Sequence, residues 1–136
     1  MKTYLVTGGS GFIGSNFVRQ MLQNDTNCHI VNLDKLTYAG NPANLVDIEM
    51  DERYSFVHGD ICDTDVLRQI FHQHKPQIII NFAAETHVDR SIGSPDDFIK
   101  TDVFGVFTLL EASKEFRVDL FLQLIKKKKY GSIAER

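Results

Sequence analysis

The segment Thr7-Gly8-Gly9-Ser10-Gly11-Phe12-Ile13-Gly14 constrains the fold of this chain more than any other feature. It follows the short apolar run Tyr4-Leu5-Val6 and leads into an amphipathic stretch, so it reads as a G-x-x-G-x-x-G turn from a buried strand into a helix. Gly8 permits a tight turn, Gly11 lets the backbone approach a pyrophosphate, and Gly14 lets the helix pack close to the sheet. The free N–H groups near Phe12 and Ile13, at the positive end of that helix, are then placed to hold phosphates. A glycine turn alone also serves any tight strand–helix junction. Here Asp34 lies 20 residues past Gly14, at the end of the next apolar run, where a carboxylate accepts hydrogen bonds from the adenine-ribose hydroxyls. Together they predict dinucleotide binding, and a carboxylate that repels a 2′-phosphate favours NAD over NADP.

The rest of the chain alternates in the same way. His29–Leu33, Tyr54–Val57, the β-branched Ile78–Phe82 and Leu120–Leu124 read as further strands. Phe12, Ile13, Phe17, Val18, Met21 and Leu22 recur at helical spacing, as do Val66, Leu67, Ile70 and Phe71, with Asp63 or Thr64 as N-cap and Pro76 beyond the end. Ser94-Pro95-Asp96-Asp97 predicts a helix start, continued by Phe98, Ile99, Val103, Val106, Phe107 and Leu110. Of these, Phe98, Val103, Phe107 and Leu110 are expected in the core. Strands separated by helices require right-handed crossovers and a parallel sheet. The expectation is one α/β domain, a doubly wound Rossmann-type sheet in the order 3-2-1-4-5.

Charge and composition exclude several functions. The net charge of −3 combines a tail at 126–136 of net +4 (five cations, one anion) with a body of net −7 (10 cations, 17 anions). An acidic body argues against a nucleic-acid groove. No apolar run approaches the ~20 residues of a bilayer span, and the N-terminus lacks a signal-peptide pattern. Cys28 and Cys62 make neither a disulfide framework nor a four-ligand zinc site, which fits a reducing cytoplasm.

Val6–Gly14 resembles the opening of the extended short-chain dehydrogenase/reductase family. Asp34-Lys35-Leu36-Thr37-Tyr38-Ala39-Gly40-Asn41, Gly59-Asp60-Ile61-Cys62-Asp63 and Asn81-Phe82-Ala83-Ala84-Glu85-Thr86-His87-Val88-Asp89-Arg90-Ser91 narrow the resemblance to its dTDP-glucose 4,6-dehydratases, over about residues 1–124. UDP-sugar 4-epimerases and UDP-glucuronate decarboxylases share the glycine turn but are not expected to carry the Asp34–Asn41 and Ala83–Ser91 segments. The resemblance implies an NAD-dependent lyase: NAD oxidises C4 of dTDP-glucose, water leaves across C5–C6, and the hydride returns at C6. It implies that Phe12 and Ile13 meet the pyrophosphate, that Asp34, Lys35, Leu36 and Thr37 border the adenosine, and that Asp60 and Ile61 border the adenine. Phe82, Ala83, Ala84, Glu85, Thr86 and Thr101 would line the nicotinamide side, and Thr86 would also touch the sugar nucleotide. It further implies a homodimer or other homo-oligomer, through the helix that contains Val103 and Phe107.

Two departures from the family stand out. The smaller is Asp102, where the family usually has Asn after this Thr. The larger follows the fifth strand, where the family continues Ser-Thr-Asp-Glu-Val-Tyr-Gly and this chain has Ile125-Lys126-Lys127-Lys128-Lys129-Tyr130-Gly131. Lys126, Lys127 and Lys128 thus occupy the positions of the Thr that helps polarise C4, the Asp that protonates the departing hydroxyl and the Glu that removes the C5 proton. Lysine cannot stand in for both carboxylates, and three adjacent cations disfavour one another and bound NAD⁺. By the same resemblance the chain would stop after its fifth strand, an incomplete NAD-binding domain over 1–136, before the Tyr-x-x-x-Lys helix and the sugar-binding portion. The expectation is an isolated chain that is inactive, with a nucleotide-binding remnant or another sugar-nucleotide epimerase or dehydratase as alternatives. Missing cover on the far side of the sheet would leave apolar surface that drives association.

Other polar residues keep two readings. His87 either orients a sugar-facing loop or is simply solvated, and Arg90 either binds a diphosphate or holds its loop through Glu85 or Asp89. Glu85 comes too early in the fold order for a catalytic carboxylate. His72 and His74 lack a third ligand at metal spacing and read as helix-end charge.

Overall fold

The computed structural model describes residues 1–36, 41–83 and 100–124. Its elements are β1 (Lys2–Thr7), α1 (Phe12–Asn24), β2 (Cys28–Asp34), a 3₁₀ turn (Pro42–Leu45), β3 (Tyr54–His58), α2 (Thr64–His74), β4 (Ile78–Asn81), a π-helical turn (Lys100–Gly105), α3 (Val106–Glu115) and β5 (Leu120–Gln123). All strand pairs are parallel and the order is β3-β2-β1-β4-β5, as the alternation of strands and helices predicts. The order reverses between β1 and β4, which leaves a crevice at the carboxyl ends of those strands.

The period-2 geometry of the strands sends alternate side chains to opposite faces. Leu5, Val31, Leu33 and Ile79 face one way and pack under Leu67, Ile70 and Phe71 of α2 and Leu109 and Ala112 of α3. Val6, Ile30 and Tyr54 face the other way, against Val18 and Leu22 of α1, with Cys28 and Leu45 closing the cluster. Asp63 is the N-cap of α2, its carboxylate accepting from Asp65 N at 3.0 Å and Val66 N at 3.3 Å. That helix ends at Lys75, in the left-handed region at φ 50°, one residue before Pro76.

The expectation for the helix through Val103, Phe107 and Leu110 needs correcting. These three side chains are exposed, together with Phe104, while Leu109 and Ala112 meet the sheet. Both faces of this helix are apolar, Val103, Phe107 and Leu110 on one and Leu109 and Ala112 on the other, so helical spacing fits either. The 3.6-residue period alone therefore does not select the buried face. The expected start at Ser94–Asp97, with Phe98 and Ile99, lies outside the described residues. At the sheet edge, Phe121 of β5 packs against the α2/α3 core while Leu120 and Leu122 are exposed, as is Leu124 just beyond the strand.

His74 also departs from the expectation of helix-end charge. Its ring stacks on His29 with centroids 5.7 Å apart, and burial lowers the pKa of both rings, that of His29 further because His74 lies beside it. Both therefore favour the neutral form. Among the described residues, no helix is long and apolar enough to cross a membrane.

Candidate functional site

Because every strand is parallel, the residues that follow the strands gather along one edge: Gly8 after β1, Lys35 after β2, Gly59 after β3 and Phe82 after β4. Gly8 has φ +72°, and a Cβ there would stand 2.7 Å from Ala83 N and 2.9 Å from Phe82 C. The turn is thus pressed against the chain leaving β4, at the point where the strand order reverses, and only glycine fits it. Gly14 is required for a related reason. A Cβ on it would collide with the Gly8 carbonyl and Gly9, so the close approach is to the turn itself rather than to a strand. Gly11 takes an extended conformation as the N-cap of α1, and its carbonyl accepts from Ser15 N at 2.9 Å.

The first turn of α1 presents its N–H groups without intrahelical acceptors, as every helix start does. It carries no acidic side chain to offset the positive helix end. Phe12, 79% exposed, and Ile13 stand outward at this end rather than joining the apolar face formed by Val18 and Leu22. An anion can therefore approach the backbone here.

Asp34 ends β2 with its side chain almost enclosed, 8% exposed. Its Oδ2 accepts from Ser10 N at 2.9 Å and its Oδ1 from Leu36 N at 2.8 Å. Two backbone N–H groups thus hold the carboxylate beside the glycine turn, with lone pairs left for further donors. Leu36 itself sits at φ 58°. Next to it, Lys35 Nζ lies 3.4 Å from Asp60 Oδ2, bridging the ends of β2 and β3. Burial raises the Asp60 carboxyl, but the Cys62 N–H at 2.9 Å and the Lys35 ammonium outweigh it and hold the group below its usual range. Ile61 turns its side chain into the core, and its carbonyl accepts from Thr108 Oγ1.

On the other side of the turn, Phe82 packs against Phe17 of α1 with centroids 5.3 Å apart, and its N–H donates to the Thr7 carbonyl at 2.8 Å. Asn81 is fully buried and accepts from Thr7 Oγ1 and from Ala83 N, while its Nδ2 donates to Gln123 Oε1 at 2.7 Å. Gly8, Gly11, Phe12, Ile13, Gly14, Asp34, Lys35, Leu36, Asp60, Ile61, Phe82 and Ala83 therefore stand at or just past the carboxyl ends of strands along a single sheet edge. Thr101 lies in the π-helical turn, where only its backbone is described. Thr37, Ala84, Glu85, Thr86, His87, Arg90 and Lys126, Lys127 and Lys128 lie outside the described residues.

Sequence reasoning missed the polar side chains beneath the turn: Asn32, Tyr54, Asn81 and Gln123. A signal was available. Asn32 and Asn81 interrupt otherwise apolar runs in central parallel strands, and a polar side chain buried there must find partners.

A family model described as GDP-mannose 4,6 dehydratase matches residues 5–136. The chain belongs to this family. Among its relatives is dTDP-glucose 4,6-dehydratase of Escherichia coli, 52% identical over 112 residues, covering 82% of this chain and 31% of that one. The solved dTDP-glucose 4,6-dehydratase of Streptomyces venezuelae, with NAD bound, superposes with a TM-score of 0.81 at 44% identity, covering 88% of this chain and 38% of that one. The Bacillus anthracis enzyme, in complex with NAD, does so with 0.80 at 36% identity, covering 97% and 43%. The chain spans about a third of the length of the curated relatives it matches.

Proposed function

We propose that this chain is the NAD-binding part of a dTDP-glucose 4,6-dehydratase, and that as an isolated chain it binds the dinucleotide without converting the sugar. The observation that carries the reading is the Asp34 carboxylate, held by Ser10 N and Leu36 N beside an uncompensated helix start. The residues present fit NAD on chemical grounds: backbone donors and a positive helix end for the diphosphate, and a fixed carboxylate for the ribose diol. When bound, NAD supplies a hydride acceptor that the protein's own side chains do not provide.

In this reading Gly8, Gly11, Phe12, Ile13 and Gly14 hold the pyrophosphate. Asp34, Lys35, Leu36 and Thr37 border the adenosine, with Asp34 excluding a 2′-phosphate by charge. Asp60 offers a carboxylate to the adenine, and Ile61 offers only its backbone because its side chain is in the core. Phe82, Ala83, Ala84, Glu85, Thr86 and Thr101 border the nicotinamide, with Thr86 reaching the sugar nucleotide. The elimination needs an acid for the C6 hydroxyl and a base for the C5 proton, each contributing roughly 10²–10⁴-fold. Lys127 and Lys128 stand where the family places those two carboxylates. Cys28 and Cys62 are thiols rather than a disulfide, which accords with a reducing cytoplasm.

The exposed row Val103, Phe104, Phe107 and Leu110 supports a homo-oligomer, since apolar side chains grouped on one helix face gain from mutual burial. The functional reading is tested by mixing the chain with dTDP-glucose and NAD and following the absorbance of the keto sugar in alkali. NAD binding by calorimetry with no keto sugar is the expected result. Keto sugar from the unmodified chain, or no NAD binding at all, overturns it.

A further inference from the structure

The phosphate turn is held from below by a polar network that reaches two strands away. Asn32 of β2 is fully buried, and its Oδ1 accepts from Gly9 N at 2.9 Å. Gly9 N–H can only donate, which fixes the orientation of the Asn32 amide. Both Nδ2 protons then go to hydroxyls, to Ser10 Oγ at 3.1 Å and to Tyr54 OH at 3.0 Å. A Cβ at position 9 would collide with Asn32 Oδ1, so this contact also explains the glycine. Ser10 is tied on its remaining sides: its N–H donates to Asp34, and its carbonyl accepts from Asn41 N at 3.1 Å and Asn44 Nδ2 at 2.8 Å. The amides of Gly9 and Ser10 are therefore committed to the protein, and the turn is left to offer a ligand those of the following helix start.

We propose that Tyr54 and Asn32 are positioning residues for diphosphate recognition. The Tyr54 hydroxyl on β3 orients the Asn32 amide, and that amide sets the turn so that the N–H groups at the start of α1 converge on an anion. The inference rests on the dinucleotide reading and deepens it by assigning the part of the ligand that the network serves. The Tyr54 ring belongs to the α1-side core, but its oxygen has a separate task. Burial pushes the phenol up, so the hydroxyl stays protonated at neutral pH. Asp34 keeps its second anchor at Leu36 N, so ribose recognition survives a loosened turn better than phosphate recognition does.

Tyr54→Phe keeps the ring and removes only the oxygen, leaving one buried Nδ2 proton of Asn32 without its acceptor. The test titrates ADP and adenosine into the wild-type and variant chains by amide chemical shift, and measures hydrogen exchange at Gly9 N–H without nucleotide. The expected result is ADP affinity weakened about tenfold, adenosine affinity changed less than about twofold, and faster exchange at Gly9. A merely structural role would weaken both ligands alike, and that outcome overturns the proposal. So does wild-type behaviour of the variant toward ADP, or unchanged exchange at Gly9. A wild-type chain that binds neither ADP nor adenosine overturns the dinucleotide reading itself, and the phosphate role with it.

Discussion

Around β1 and β2 the buried polar side chains end on named partners: Thr7 on Asn81, Asn32 on Gly9, Ser10 and Tyr54, and Asp34 on Ser10 and Leu36. Around β5 and the helix before it the surface is of the opposite kind, with Leu120, Leu122 and Leu124 and the row from Val103 to Leu110 exposed. Among the described residues no buried side-chain nitrogen or oxygen lacks a partner, so the first region is closed by its own contacts. The difference teaches where rigidity has been built. A site that recognises a diphosphate through backbone N–H groups needs those groups fixed before the ligand arrives, and β1, α1 and β2 fix them. The β5 flank presents apolar surface whose burial would be favourable, as an associating surface does.

The strongest way to break this comparison is to cut one aliphatic side chain on each of two neighbouring strands. Ile79 of β4 is fully buried, and Ile79→Ala is expected to cost about 2–5 kcal/mol in urea unfolding. Leu122 of β5 is 46% exposed, and Leu122→Ala should stay within about 0.5 kcal/mol. Equal costs would mean that β5 is as enclosed as the centre.

Gly8→Ala should destabilise nearly as much. A left-handed φ of +72° costs an alanine about 1–2 kcal/mol, and the overlap with Ala83 adds about 1–3 kcal/mol. An unfolding midpoint equal to that of the wild type would show that the turn is not pressed against β4. On the other flank, Phe107→Asp puts a charge in the exposed row and should weaken self-association about tenfold in sedimentation velocity, with little change in the unfolding midpoint. If the wild-type chain is a monomer at every concentration, the row is not an associating surface.

The smallest effect lies at the opposite edge of the sheet. His29 and His74 have folded-state values below the ordinary 6.5, so the unfolded chain binds more protons as the pH falls through that value. Stability is therefore present above about pH 6.5 and declines on acidification toward the folded values. His29→Gln should flatten that decline, and an unaltered pH profile would remove the stacked pair as its source.

Much of this fold is legible in the sequence because its central strands are buried on both faces. Such strands appear as continuous apolar runs, and Ile78–Ile80 and His29–Leu33 locate β4 and β2 to within a residue or two. The capping residue of α2 is legible for the same local reason, since Asp63 only has to meet the N–H groups two and three residues on. The face of the helix through Val103 and Phe107 is not, because both of its sides are apolar. Within the site, Gly8 and Asp34 announce themselves by type and spacing, whereas Asn32 and Tyr54 act across strands. Their partnership depends on the β2–β3 register, in which Ile30 is opposite Tyr54, and no local pattern encodes that.

The account stands on Asp34 as the residue that reads the adenine ribose. Calorimetric titration of NAD and NADP into the wild-type chain and Asp34→Ala tests it directly. The wild-type chain should bind NAD at least about tenfold more tightly than NADP, as the loss or repulsion of one charge-assisted hydrogen bond implies, and the variant should lose NAD affinity until the two ligands are nearly equal. Equal affinities in the wild type, or an Asp34→Ala chain that binds NAD as before, would contradict it.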